Sequence, residues 1–170
     1  MVRIPTRYGF LASILGAALV GVLFYFGRHP FLIPVVFDFR IVLFALFLFF
    51  AVREFRDLSN GGVLFFWQGM ITSGIFILSY SLTVSTAILI LGHIEPTFVT
   101  EYIRQFTEQA RSYPDVAIER IGKETFERSL KELQSTSVID MSILYFTQCW
   151  TIGFFVSIIL SVILRRQTTN

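Results

Sequence analysis

Four long stretches of this chain consist almost entirely of apolar residues, and they constrain the fold more than any other feature. They are residues 8–26, 34–52, 63–92 and 141–164. A helix rises about 1.5 Å per residue, so about 20 apolar residues cross the hydrocarbon core of a bilayer. A helix also satisfies its own backbone hydrogen bonds, for which lipid offers no partners. The sequence therefore predicts an all-α integral membrane protein with four transmembrane helices.

The composition agrees with a chain surrounded by lipid. Hydrophobic residues make up 54% of the chain and charged residues 15%, against about 25% charged in soluble proteins. The net charge is only +2, and the basic residues form no patch interleaved with aromatics, which argues against a nucleic-acid partner. With one cysteine, Cys149, the chain forms no internal disulfide. We expect the lipid bilayer to be its main environment.

The distribution of basic residues predicts the orientation of the helices. Arginines flank the apolar stretches near both termini and in the loop of residues 53–62, whereas acidic residues outnumber basic ones in the long segment 93–140. Loops rich in Lys and Arg stay in the cytoplasm. Both termini and the 53–62 loop are therefore predicted to be cytoplasmic, and residues 93–140 to lie outside.

The outer segment is predicted to form an amphipathic helical hairpin between the third and fourth transmembrane helices. Its apolar residues recur at helical spacing on either side of a break at Tyr113-Pro114. The first set is Phe98, Tyr102, Phe106 and Ala110, and the second is Ile118, Ile121, Phe126, Leu130 and Leu133. Such faces must be buried. The two helices could cover each other, lie on the membrane surface, or bind another protein.

Small residues at four-residue spacing predict close helix packing. Three of the four apolar stretches carry them: Ser13, Ala17 and Gly21 in the first, Gly69 and Ser73 in the third, and Gly153, Ser157 and Ser161 in the fourth. Small side chains let membrane helices approach closely and gain van der Waals contact. The pattern leaves open whether this contact lies within one chain or between subunits.

Asp38 and Arg40 are the charges that fall inside a predicted span. An ionisable residue within a membrane is a functional hypothesis by default, so these two are candidates for binding or transport. The structural alternative is that Asp38 favours the helix N-terminus and Arg40 extends toward the membrane surface. Gln68, near the inner boundary, is a third candidate that can bond across helices.

The histidines do not predict a metal site or a catalytic site. His29, His93 and Glu95 all fall near the outer membrane boundary and are residue types that bind zinc. Their spacing fits no metal-binding motif, and the chain has no phosphate-binding glycine loop or nucleophile elbow. We therefore predict neither a metal nor another cofactor, and no enzymatic activity.

The loop after the second apolar stretch carries the most specific motif of the chain. It contains Arg53-Glu54-Phe55-Arg56-Asp57, Asn60-Gly61-Gly62, Phe66 and Gln68-Gly69. With four apolar stretches around it, this motif resembles the bacterial membrane family catalogued as domain of unknown function 4199, from the Bacteroidetes group. The resemblance implies a multi-pass protein of the bacterial inner (cytoplasmic) membrane with the same four-helix plan. It implies no catalytic residue.

Two functional hypotheses follow from these patterns. The first is a non-enzymatic accessory or assembly subunit that packs with itself or with another envelope protein through the small residues and the outer helices. The alternative is a small transporter or channel component that uses Asp38 and Arg40. An enzyme working through His29, His93 and Glu95 at the outer face is a third possibility that would require these side chains to converge.

Overall fold

The computed structural model describes residues 2–34, 38–114, 118–120 and 122–166 and is helical almost throughout. Its helices are α1 (Arg3–Tyr25), α2 (Phe39–Glu54), α3 (Phe66–Ile94), α4 (Thr97–Arg111), α5 (Lys123–Leu133) and α6 (Val138–Ile163). A short 3-10 turn, Pro30–Leu32, follows α1, and a π-helical turn, Phe55–Ser59, continues α2. The predicted all-α class is confirmed. Ile121, assigned above to the second outer helix, lies outside the described residues.

Among the described residues, three helices are long and apolar enough to cross a membrane. They are α1, α3 and α6, with mean hydropathies of 1.9, 2.0 and 1.8. The second predicted span, residues 34–52, contains the start of α2, which has 16 residues and begins at Phe39; residues 35–37 lie outside the described residues. Asp38 caps its N-terminus by accepting the backbone N–H of Arg40 at 2.9 Å, which satisfies a donor that the helix leaves unpaired.

Helices α3 and α6 form the closest antiparallel pair, and glycines set their separation. A Cβ on Gly69 would lie 2.7 Å from Ser161 Oγ, and a Cβ on Gly153 would lie 2.6 Å from Ile77 Cδ1. Gly92, near the other end of α3, meets Val138 with a corresponding distance of 2.6 Å. A Cβ at these positions would require the facing side chains or the helices to shift.

Helix α1 packs on α3 through two glycines seven residues apart. A Cβ on Gly9 would lie 2.7 Å from the carbonyl oxygen of Phe76, and one on Gly16 would overlap the hydroxyl of Tyr80. Helix α2 lies against both α1 and α6. The core between them is aromatic, with Phe44, Phe76 and Tyr80 fully buried and their rings in edge-to-face or stacked contact. Such contacts contribute beyond the area buried.

The two ends of this bundle are built differently. At one end, called here the α4 end, α4 contacts α3 and the Pro30–Leu32 turn, and Phe98 is fully buried there. At the opposite end, called the loop end, Leu64 and Arg166 form an isolated antiparallel bridge. The Leu64 N–H donates to the Arg166 carbonyl at 2.8 Å, and the reverse bond is 3.0 Å. The segment after α6 is thereby joined to the loop before α3.

Candidate functional site

A buried ion pair lies at the start of α2. Asp38 and Arg40 are 5% and 6% exposed. Arg40 Nε donates to Asp38 Oδ1 at 2.8 Å and to Oδ2 at 2.9 Å, and Nη2 donates to Oδ2 as well. The sequence led us to expect Arg40 to extend toward the membrane surface, but its guanidinium faces inward. A bidentate carboxylate partner offsets its charge and makes that burial possible.

Helix α6 completes the surroundings of Arg40. Its Nη2 donates to Gln148 Oε1 at 3.0 Å, and its Nη1 lies 4.0 Å from Cys149 Sγ. The guanidinium carbon lies 4.8 Å from the centre of the Tyr145 ring, within range of a cation–π interaction. The Tyr145 hydroxyl is in turn 3.1 Å from the hydroxyl of Tyr80 on α3. We call these six residues the polar cluster: Asp38, Arg40, Tyr80, Tyr145, Gln148 and Cys149.

The polar cluster joins α2, α6 and α3 through groups that bond each other. Asp38 and Arg40 are both buried. Desolvating such a pair is costly, and close geometry with additional hydrogen bonds offsets part of that cost. The arrangement is suited to fixing the register of α2 against α6.

The arginine-rich loop motif is built into the loop end. Glu54 Oε2 accepts hydrogen bonds from Arg7 Nη2 and from the Tyr8 hydroxyl of α1, both at 2.7 Å. Asp57 pairs with Arg56 at 2.7 Å and with Arg53 at 3.7 Å. The motif therefore joins the end of α2 to the start of α1.

Asn60, Gly61 and Gly62 turn the chain toward α3. Both glycines have positive φ, +61° and +80°, which favours glycine at these positions. Asn60 Nδ2 donates to the Val63 carbonyl at 2.6 Å and to Gln68 Oε1 at 2.9 Å. The same Gln68 oxygen accepts the Phe65 N–H at 3.0 Å. Gln68, a candidate for bonding across helices, thus caps the start of its own helix.

The family model described as "Protein of unknown function (DUF4199)" matches residues 7–166. The chain belongs to the DUF4199 family. The match takes in the loop motif that carried the resemblance and the polar cluster. Neither the search of curated proteins nor the search of solved structures found a match.

In this DUF4199 protein the two histidines and Glu95 have separate partners. His29 Nε2 lies 3.1 Å from the Phe98 carbonyl, and His93 Nδ1 lies 2.7 Å from the Leu89 carbonyl. Glu95 accepts a hydrogen bond from the Thr97 hydroxyl at 2.6 Å. Within the described ranges, no group of three or more His, Cys, Asp or Glu side chains is placed to hold a metal ion. The convergence that the enzyme hypothesis required is not found among these three.

His29 is an internal residue of this DUF4199 protein. It is 2% exposed and lies among the rings of Phe31, Phe98 and Tyr102. Burial lowers the pKa of His29 to about 4, because the apolar surroundings disfavour the charged imidazolium. The imidazole is therefore neutral at pH 7 and contributes to packing between α4 and the turn before α2.

The predicted small residues divide into two groups in the DUF4199 structure. Those of α3 and α6 lie inside the chain: Gly69 faces Ser161, Gly153 faces Ile77, and Ser73 and Ser157 are buried. On α1, Ser13 is buried and Ala17 half-buried, while a Cβ on Gly21 would meet open space. The glycines of α1 that contact α3 are Gly9 and Gly16. They are seven residues apart, so a search for four-residue spacing does not pair them.

A pair of reciprocal hydrogen bonds between α3 and α6 was missed by the sequence reasoning. Ser85 Oγ donates to the Ser142 carbonyl at 3.2 Å, and Ser142 Oγ donates to the Ser85 carbonyl at 2.7 Å. The serines in the two apolar stretches are a visible signal, but their pairing depends on the register of the helices. Three other buried hydroxyls, those of Thr72, Ser73 and Ser161, have no partner among the described residues.

Proposed function

We propose that this DUF4199 protein is a multi-pass protein of a bacterial inner membrane with four transmembrane helices and cytoplasmic termini. Helix α2 is the fourth span in this proposal. The predicted span 34–52 holds 19 residues, close to the roughly 20 that cross the hydrocarbon core, and α2 covers its residues 39–52 before the charged residues 53–57 begin. Its packing against α1 and α6 supports placing α2 in the same bundle as the other three helices.

We further propose that the chain is a non-enzymatic subunit of a membrane assembly, with α4 and α5 forming the surface that binds a partner protein. The observation that carries this proposal is the environment of α5. It has 11 residues, and Leu130 is the one among them that is buried. Isolated helices of fewer than about 12–15 residues are marginal in water. A helix so short and so exposed gains stability from a bound partner.

The groove between α4 and α5 carries net positive charge, which supports a partner of opposite charge. A groove of about 420 Å³ between them is lined by the basic residues Arg111, Arg128 and Lys131 and by one acidic residue, Glu127. Arg128 is already paired with Glu124 at 3.4 Å. Arg111 and Lys131 form no ion pair with the other described residues. An acidic segment of a partner protein complements this groove.

Gentle detergent extraction from native membranes tests the assembly proposal. The full chain is purified and the co-purifying proteins are quantified by mass spectrometry. We expect one partner in constant ratio with the wild-type chain, and its loss by at least fivefold with Lys131→Glu. Lys123→Glu, a matched charge reversal on α5 outside the groove, should retain the partner. Extraction of the chain without a partner, or equal loss with both variants, would contradict the proposal.

The alternative function is a small transporter or channel component, and the intramembrane charges favour it. Asp38 and Arg40 are both ionisable and both buried, and such residues commonly mark ion pathways. A transport role predicts that Asp38→Asn and Arg40→Leu each abolish a flux of H⁺, Na⁺ or K⁺ into proteoliposomes while protein abundance stays unchanged. Loss of abundance in both variants would indicate that the pair serves structure.

A further inference from the structure

A cavity of about 520 Å³ opens at the α4 end, between the end of α1, the turn before α2 and the side of α4. Its apolar wall consists of Leu23, Leu32, Ile33 and Pro34. Leu23 lies in the last turn of α1, which ends at Tyr25. In the proposed membrane orientation, this wall lies at the level where acyl chains meet headgroups.

The rim of this cavity is polar and basic. It is formed by Arg28, Gln105 and Gln109, together with His29. Gln105 stabilises the rim, because its Oε1 accepts the His29 backbone N–H at 3.2 Å and its Nε2 donates to the Gly27 carbonyl at 3.1 Å. Arg28 and Gln109 are free to bind a ligand, because neither side chain bonds another described residue.

Of the described residues that line the cavity, none is a carboxylate that would compete with an anion for Arg28. Glu101 contacts Gln105 nearby, but Arg104 Nε donates to it at 2.9 Å. Its charge is therefore compensated within α4. The His29 imidazole is neutral at pH 7, as its lowered pKa implies. Arg28 is then the uncompensated charge at the rim, above an apolar wall.

We propose that this cavity binds a phosphate-bearing amphiphile, with the phosphate at Arg28 and Gln109 and an acyl chain along the apolar wall. A guanidinium binds phosphate oxygens through short, charge-assisted hydrogen bonds. An amide beside it adds a neutral donor. Leu23, Leu32 and Ile33 offer a surface that an acyl chain covers and a free phosphate ion does not. The occupant is accordingly an anionic phospholipid.

Native mass spectrometry of the delipidated full chain in detergent tests this site. Phosphatidylglycerol and phosphatidylcholine with identical acyl chains are added separately, and inorganic phosphate is added as a third probe. We expect the wild-type chain to bind phosphatidylglycerol at least fivefold more tightly than phosphatidylcholine. One arginine near a membrane surface contributes about this factor. Arg28→Gln should remove the preference by weakening phosphatidylglycerol binding at least fivefold more than phosphatidylcholine binding.

Two further variants separate the site from general effects. Arg120→Gln removes an exposed arginine that does not line the cavity, and it should bind like wild type. Ile33→Trp places a larger side chain in the apolar part of the cavity and should weaken the binding of both lipids equally. Unchanged selectivity in Arg28→Gln would overturn the proposal. Displacement of phosphatidylglycerol by equimolar inorganic phosphate would overturn the lipid assignment in favour of a free-phosphate site.

Discussion

At the scale of single residues, the Asp38–Arg40 pair has the largest energetic consequences. Each charge is buried and is compensated chiefly by the other. Removing one partner of such a pair leaves an uncompensated buried charge, which costs about 3–5 kcal/mol, whereas replacing both by apolar residues is often neutral. The pair therefore behaves as a unit.

We expect Asp38→Leu to lower the stability of the chain by about 3–5 kcal/mol because Arg40 remains buried without its partner. The double variant Asp38→Leu with Arg40→Met should recover most of this loss. About 1 kcal/mol should remain from the lost N-cap. Thermal unfolding in detergent, followed by circular dichroism, measures both. A double variant no more stable than the single one would show that the pair does not act as a unit.

His29 predicts a pH dependence with a defined sign. Its pKa falls from an ordinary 6.5 to about 4 on folding, so the unfolded chain binds more protons between these values. Stability is therefore fully present above about pH 6.5 and is lost as the pH falls toward 4. We expect the Tm to fall between pH 7 and pH 5, and to fall less in His29→Gln. Equal slopes for the two proteins would assign the dependence to other groups.

The sequence identified Asp38 and Arg40 as notable residues, but it did not identify the residues that contact them. Asp38 and Arg40 stand out as charges in an apolar stretch, yet Gln148 and Tyr145 come from a helix more than a hundred residues later in the chain. Their contact depends on the tertiary register of α2 and α6, which no local pattern encodes. The inward turn of Arg40 follows from those partners and was missed for the same reason.

At the scale of helices, glycine placement determines how closely α3 and α6 approach. Gly153 of α6 lies against Ile77 of α3. A Cβ on Gly74, which is on α3, would meet nothing within 4 Å. The two glycines therefore make a matched pair for substitution. One lies in a close helix contact and the other faces open space.

Gly153→Ala should destabilise the chain by about 1–3 kcal/mol, because the added methyl overpacks the contact with Ile77. Gly74→Ala should be neutral or stabilising by up to about 1 kcal/mol, since alanine favours helix over glycine. Adding Ile77→Val to Gly153→Ala should restore part of the loss. Unfolding in detergent gives all three values. Equal effects of the two glycine substitutions would contradict the assigned contact.

The helix faces were only partly predictable. A four-residue template found Gly69 and Ser161, which do meet, but on α1 it selected Gly21 in place of Gly9 and Gly16. Helices that cross at about +20° return to the same face every seven residues. The spacing of Gly9 and Gly16 matches that period. Helix α2 begins at Phe39, where Asp38 caps it, and the run of apolar residues did not indicate that boundary.

At the scale of the whole molecule, the orientation of the bundle depends on whether α2 crosses the membrane. If it does, Thr6 before the apolar part of α1 and Ser59 at the end of α2 face the same compartment, and Ser112 after α4 faces the other. If α2 does not cross, Thr6 and Ser59 face opposite compartments, which would separate Glu54 from its partners Arg7 and Tyr8. The three positions are exposed in the structure.

Single-cysteine labelling decides between these arrangements. In a Cys149→Ala background, Thr6→Cys, Ser59→Cys and Ser112→Cys are each exposed to a membrane-impermeant maleimide on intact spheroplasts. We expect labelling of Ser112→Cys alone, and labelling of all three after lysis, because arginine-rich loops stay inside. Labelling of Ser59→Cys but not Thr6→Cys on intact spheroplasts would show that α2 does not span the membrane.

The close pairing of α3 with α6 has a consequence for the biogenesis of the protein. The segment between Ile94 and Val138 takes about 2–9 s to synthesise at about 5–20 residues per second. During that interval α3 is complete, while the helix whose Ser142 bonds Ser85 has not yet been made. Helix α1 is already in place and covers Phe76 and Tyr80, so the nascent chain waits as a partial bundle with one serine-bearing face open. The insertion machinery of the membrane is then the first surface to hold that face.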